Sequence, residues 1–174
     1  MKNNPINLNN NPLIILGAGA HAKVLIDILK ICGRKILGVT DSNKQIGENF
    51  NSVKVLGNDE IVLKYSINEI ELVNSLVGLD KKKLRLELTK SLENKGYVFS
   101  KVIHPSAIIA EHVIINKGVQ IMAGAVIQSN VIIGNSCIVN TGAIIDHDCV
   151  IKENCHIAPG VTLNGGVVIG ERTH

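Results

Sequence analysis

Hydrophobic positions along this chain obey two rules, and the change of rule falls near residue 100. Before it, short apolar runs alternate with amphipathic stretches. Leu13-Ile14-Ile15-Leu16 reads as a strand, and Val24, Leu25, Ile28 and Leu29 read as one side of a helix that Gly33 ends. Ile36-Leu37-Gly38-Val39 reads as a second strand, closed by Thr40-Asp41. Residues 53–56 and 71–76 read as strands, 59–64 as a short helix, 81–94 as a longer one, and 97–102 as a last strand. The order β-α-β-(α)-β-α-β predicts a small Rossmann-like parallel sheet, an α/β domain over residues 12–100.

Beyond residue 100 the apolar positions recur every six residues. Stepping by six from Ile103 reaches Ile169 in twelve positions, ten of them Ile and the others Val139 and Leu163. Four places after each stands a small side chain, from Ala107 through Ala125, Cys137, Ala143, Cys149 and Cys155 to Thr173. A helix needs a period near 3.6 and a free strand strict alternation, so a period of six means short strands separated by corners. The expected fold for residues 101–174 is all-β, a left-handed parallel β-helix of hexapeptide repeats with three hexads per coil and four coils. The chain stops at Glu171-Arg172-Thr173-His174 with no capping helix, which reads as a C-terminal truncation.

The outward strand positions extend the picture. Of the twelve residues at Ile108, Ile114, Gln120, Val126, Ile132, Ile138, Ile144, Val150, His156, Thr162, Val168 and His174, eight are Ile or Val. That is too apolar for a wet surface and predicts a homotrimer packed about a threefold axis.

Composition narrows the classes. A net charge of +3 without a basic aromatic-bearing face argues against nucleic acid as a partner, and no apolar run reaches a membrane span. The run Lys81-Lys82-Lys83 with Arg85 reads as the solvated start of a helix. Residues 1–11 are Asn-rich, read as a disordered tail and not a signal peptide, and the cytoplasm is the expected compartment. Cys137, Cys149 and Cys155 fall at inward positions and read as small core residues, and Cys32 as ordinary core. The cluster His147, Cys149, Cys155 and His156 invites a metal reading, but alternation points Cys155 inward and His156 outward, so no metal site is expected.

Candidate chemistry begins at Gly17-x-Gly19-x-x-Ala22, between the first strand and the first helix. Such a loop lets a phosphate approach the backbone at a helix N-terminus, and Asp41 ends the second strand where an acid would meet a ribose or base. The alternative is a tight strand-to-helix turn without a ligand. A domain this short suits a nucleotide-sugar better than a dinucleotide, which disfavours an NAD-dependent oxidoreductase.

Several stretches together resemble one family. Gly17-Ala18-Gly19-Ala20-His21-Ala22-Lys23-Val24, Gly38-Val39-Thr40-Asp41, Val102-Ile103-His104-Pro105-Ser106-Ala107, Asn140-Thr141-Gly142-Ala143-Ile144-Ile145-Asp146-His147-Asp148 and Cys155-His156-Ile157-Ala158-Pro159-Gly160 are similar to the nucleotide-sugar and sialic acid acetyltransferases. These include the bacillosamine-pathway and perosamine N-acetyltransferases. The chain departs from the pattern at Ala20, where the family carries Gly, and in the missing C-terminal coils, which in the family help hold the coenzyme A arm. The resemblance implies a trimer and an acetyl-CoA-dependent acetyltransferase of bacterial surface glycan biosynthesis. It also implies a substrate site at Gly17, Gly19, Ala20, His21 and Asp41, with His21 facing the sugar nucleotide. Asn140, His156 and Gly165 are the expected acetyl-CoA contacts.

His147 is the expected catalytic residue. It stands at a coil corner, with Ser129 and Gly165 at the matching places one coil before and after. An imidazole there can deprotonate an incoming amine or hydroxyl, a backbone N–H can stabilise the thioester oxyanion, and Asp148 or Asp146 can orient the ring. The alternative is a solvated corner histidine, and the resemblance favours the base. His147 and His156 of one chain are separated by a strand and a corner, roughly 15 Å, so a shared pocket requires a neighbouring subunit. Three functions remain in view: N-acetylation of a nucleotide-linked aminosugar, O-acetylation of sialic acid, and a nucleotide-sugar-binding trimer without activity.

Overall fold

A computed structural model describes residues 11–78 and 81–174, with Lys82 described by its backbone alone. The expected N-terminal tail lies outside the described residues except for Asn11, whose side chain donates to the Asn68 carbonyl at 2.9 Å.

The first domain is a parallel sheet. Strands β1 (Leu13–Leu16), β2 (Ile36–Thr40), β4 (Val53–Gly57) and β5 (Glu71–Asn74) run parallel, and β3 (Asn49–Phe50) pairs antiparallel at the edge, giving the order β3-β4-β2-β1-β5. All four residues of β1 are fully buried. Leu13 and Ile15 enter the core beneath helix α1 (Ala20–Ile31), while Ile14 and Leu16 enter the opposite core with Leu92, Tyr97 and Phe99. An unbroken apolar strand is what a sheet covered on both faces needs. A 3-10 turn spans Asp59–Lys64, and helix α2 spans Lys82–Asn94.

Several expectations change in detail. The strand expected over 97–102 is a single bridge between Leu72 and Phe99, after which the chain enters the β-helix at β6 (Val102–Ile103). On α1, Val24 is exposed and Ile26 is buried, because the helix packs against both the sheet and β6 and buries a wider arc than a one-sided helix. Cys32 is exposed, at the C-cap of α1, and not core. Arg85 is buried and not part of a solvated face. Its Nη1 donates to the carbonyls of Asn74 and Leu76 at 2.7 and 2.9 Å, and its Nη2 to that of Ser136 at 3.3 Å. Sequence patterning also gave no sign of the buried Arg34–Glu71 ion pair at 3.2 Å.

Residues from Val102 onward form the left-handed parallel β-helix. Its strands are two residues long: after β6 come β7 (Ile108–Ile109), β8 (Ile114–Ile115), β9 (Gln120–Ile121), β10 (Val126–Ile127), β11 (Ile132–Ile133), β12 (Ile138–Val139), β13 (Ile144–Ile145), β14 (Val150–Ile151), β15 (His156–Ile157), β16 (Thr162–Leu163) and β17 (Val168–Ile169). Every third strand pairs in parallel, so Ile127 faces Ile109 and Ile145 in a ladder of 18-residue steps. The inward hexad positions make one core, with Ile121, Ile133, Val139 and Ile145 fully buried. Cys137, Cys149 and Cys155 lie inside it as free thiols, each donating to the carbonyl fifteen residues onward: Lys152 at 3.0 Å, Asn164 at 3.2 Å and Gly170 at 2.9 Å.

The corners have their own rule. From His112 to Arg172 every sixth residue takes positive φ, and Gly, Asn or Asp fills eight of those eleven places, the residues that tolerate this conformation best.

One face of the β-helix carries the first domain. Along that face Val102, Gln120 and Ile138 are outward yet at most 2% exposed, because α1, β5 and α2 cover them. Gln120 and Ile138 therefore leave the outward stripe expected to be free.

Candidate active site

His147 sits between β13 and β14, at the corner Asp146-His147-Asp148. Its backbone N–H donates to Asp146 Oδ1 and its ring Nδ1 lies 2.8 Å from Asp148 Oδ2. Asp148 takes the positive-φ corner place, and its other oxygen accepts from Asn130 Nδ2 at 3.1 Å, one coil below. A carboxylate can only accept, so Nδ1 carries the hydrogen and Nε2 is left with its lone pair, unbonded among the described residues. The hydrogen bond donated to Asp148, then the charge of Asp146, hold the ring above its ordinary pKa of 6.5, while Asp148 is held below its own ordinary value by His147 and Asn130.

Gly165, one coil above, lies against this ring. A Cβ there would stand 2.6 Å from Cε1 and 2.7 Å from Nε2 of His147, so only glycine fits without moving the imidazole. The expected neighbours are thus together: His147, Asp148 and Gly165 form one exposed corner group.

Asn140 and His156 form a second group on the face of β12 and β15. Asn140 Oδ1 accepts from the Thr141 N–H at 2.8 Å, which turns its amide nitrogen toward His156 Nε2 at 2.9 Å. His174 packs edge-on against His156 with ring centroids 4.4 Å apart. Cys149 and Cys155 point into the core and His156 away from it, and among the described residues no three His, Cys, Asp or Glu side chains converge on a metal position.

In the first domain the glycine loop runs from β1 into α1. Gly17 has φ +91°, and a Cβ there would meet Ser75 Oγ at 2.8 Å, so this glycine closes the turn. Gly19, the N-cap of α1, has nothing within 4 Å of its Cβ position and no side-chain cap, leaving the first-turn N–H groups, with Ala20 among them, open to an anion. Asp41 accepts from the Ala18 N–H at 3.3 Å with one oxygen and from the Asn43 N–H at 2.8 Å with the other, so it braces the loop. Thr40 supports it too, accepting from the Gly17 N–H and donating to Asp59. His21 is buried, with Nε2 2.8 Å from Gln120 Oε1 of the β-helix. Asn130, Gln120 and Asn74 escaped the sequence reading. Gln120 carried a signal as the one amide in the outward stripe, and Asn130 through its place eighteen residues before Asp148.

Residues 12–92 match the PglD N-terminal domain family. Over 93% of its length the chain is similar to PerB from Caulobacter crescentus, solved in complex with CoA and GDP-perosamine, at 33% identity and a TM-score of 0.84, spanning 75% of that chain. It belongs to the nucleotide-sugar N-acetyltransferases. A second similarity, to the acetyltransferase domain of PglB from Neisseria gonorrhoeae FA1090 in complex with acetyl coenzyme A, covers 94% of this acetyltransferase and 78% of that chain at 30% identity, with a TM-score of 0.85. WeeI from Acinetobacter baumannii AYE, at 20% identity and a TM-score of 0.74, shares the acetyltransferase's fold. Comparison with curated protein sequences yields no match.

Proposed function

We propose that this acetyl-CoA-dependent enzyme acetylates the amine of a nucleotide-linked aminosugar, with His147 as general base. The observation that carries the reading is the His147 corner: an exposed imidazole with Nδ1–H fixed on a carboxylate and Nε2 unbonded. PerB's complex with CoA and GDP-perosamine and PglB's with acetyl coenzyme A support the choice of reactants.

Acetyl-CoA supplies an acyl group already activated as a thioester, with a thiol as leaving group. As the amine nitrogen bonds the acyl carbon, His147 Nε2 accepts the proton that the nitrogen loses, while Nδ1–H remains on Asp148. The imidazolium then returns that proton to the departing sulfur, and the ring ends as it began. The Gly165 N–H, free of protein partners among the described residues and beside the ring, is the donor for the developing oxyanion. Asn140 and His156 serve as acetyl-CoA contacts, and the loop of Gly17, Gly19 and Ala20 with His21 binds the nucleotide-sugar, Asp41 bracing it.

We further propose a homotrimer in the cytoplasm. Ile108, Ile114, Ile132, Ile144 and Val168 remain exposed on the two faces that the first domain leaves bare, which supports packing of copies. The chain's free cysteines fit a reducing compartment.

His147→Ala tests the assignment. Turnover should fall by roughly 10²–10⁴-fold, the usual worth of a positioned base, while calorimetric affinity for a UDP- or GDP-linked aminosugar stays near the parent value. Near-normal turnover would remove His147 from the role. Transfer to sialic acid in place of the aminosugar would favour the O-acetyltransferase alternative.

A further inference from the structure

The contact between His21 and the β-helix has a direction built into it. Gln120 Nε2 lies 2.7 Å from the backbone oxygen of Asn74, and a carbonyl only accepts, so the amide turns its NH2 group toward Asn74. Its oxygen therefore faces His21, 2.8 Å from Nε2. An amide oxygen also only accepts, so His21 Nε2 carries a hydrogen. Asn74 is itself fixed, its side-chain nitrogen donating to the Arg85 carbonyl and to Thr89 Oγ1.

Whether the ring also binds a second proton is decided by its surroundings. Burial disfavours the charged form, and the buried Arg85 guanidinium nearby repels it; together they outweigh Gln120 and hold His21 below its ordinary pKa of 6.5. Arg85 stays a cation, lowered by desolvation only to about 10. The ring is thus neutral at pH 7, and Nδ1 holds a lone pair. Among the described residues nothing bonds Nδ1, and no fully buried side-chain nitrogen or oxygen lacks a partner, so Nδ1 meets solvent. It does so in the first turn of α1, two residues from the open Cβ position of Gly19.

We infer that Gln120 is a positioning residue of the substrate site: it locks His21 as the Nε2–H tautomer and so presents Nδ1 as an acceptor for a hydroxyl or amine of the nucleotide-sugar. The inference rests on the nucleotide-sugar reading of the loop. It also separates two subsites. A lone pair repels a phosphate oxygen, so phosphate belongs on the N–H groups of α1, and a hydrogen-bond donor of the sugar belongs on His21.

The ring can be observed without substrate. In the 15N-labelled, unliganded chain, a long-range proton–nitrogen correlation spectrum should show His21 neutral with its hydrogen on Nε2 at pH 7. A hydrogen on Nδ1, or a charged ring, would overturn the inference. In Gln120→Leu the tautomer preference should be lost. In Gln120→Glu the new carboxylate should draw a second proton onto the ring, turning Nδ1 into a donor. Both should weaken calorimetric binding of a UDP- or GDP-linked aminosugar about tenfold, the scale of one hydrogen bond, and raise KM with little change in kcat. Unchanged ring signals and unchanged affinity in either folded variant would refute it, and the charge-changing variant carries the test alone if Gln120→Leu fails to fold. Should the parent chain acetylate no aminosugar, acetyl transfer fails as its activity, while the ring spectrum and the titration still decide the role of Gln120.

Discussion

His147 draws its basicity from Asp148 after it and Asp146 before it, while Asn130 one coil below holds the Asp148 carboxylate ionised. A raised pKa means that the neutral, proton-accepting ring prevails only at higher pH, so kcat/KM should climb with pH through a midpoint above the ordinary 6.5. Asp148→Asn replaces the carboxylate that holds Nδ1–H with a neutral amide and should move the midpoint down and lower the plateau, as a pH profile of kcat/KM would read. The hexad register put His147, Asp148, Asn140 and His156 on the outside of the coil, and the family resemblance, not the period, singled them out as site residues. Asn130 was passed over because an asparagine at a corner reads as a turn residue, although the eighteen-residue step places it directly below Asp148. Arg85 was misread because charge in a lysine run looks solvated until Asn74, Leu76 and Ser136 turn three carbonyls toward it.

Among the elements, the turn from β1 into α1 separates two glycines of similar appearance. Gly17→Ala forces a side chain into positive φ against Ser75 and should destabilise the chain by roughly 1–3 kcal/mol, seen as a lower denaturation midpoint. Gly19 has φ −93° and open space, so Gly19→Val should leave that midpoint nearly unchanged yet weaken nucleotide-sugar binding in the same calorimeter. In the β-helix, Ile133→Ala should cost roughly 2–5 kcal/mol by chemical denaturation, because ladders above and below prevent the cavity from collapsing. The six-residue period made this half of the fold readable from sequence. Helix α1 was readable only in outline. Its buried arc is set by β6, which lies more than seventy residues away, so no local pattern separates Val24 from Ile26. The two-residue β3 likewise exists through its pairing with β4 and not through its own propensity.

At the scale of the whole molecule, the first domain occupies one face of the prism and leaves Ile and Val uncovered on the other two. Light scattering at micromolar concentration should give a trimer, and the paired change Ile132→Lys with Ile144→Lys should give a monomer of unchanged secondary structure. Sequence placed these residues outward, but it could not show that Gln120 and Ile138 are already covered within their own chain. The cysteines give the molecule a further property. Cys137, Cys149 and Cys155 are sealed inside the prism within the length of one coil, with their hydrogens engaged by carbonyls, while Cys32 stands at the surface. A thiol reagent must wait for the wall to open before it can reach the first three, whereas Cys32 needs no opening. The chain thus carries its own clock and its own internal standard: the slow thiols time the breathing of the prism, and the fast one counts the molecules.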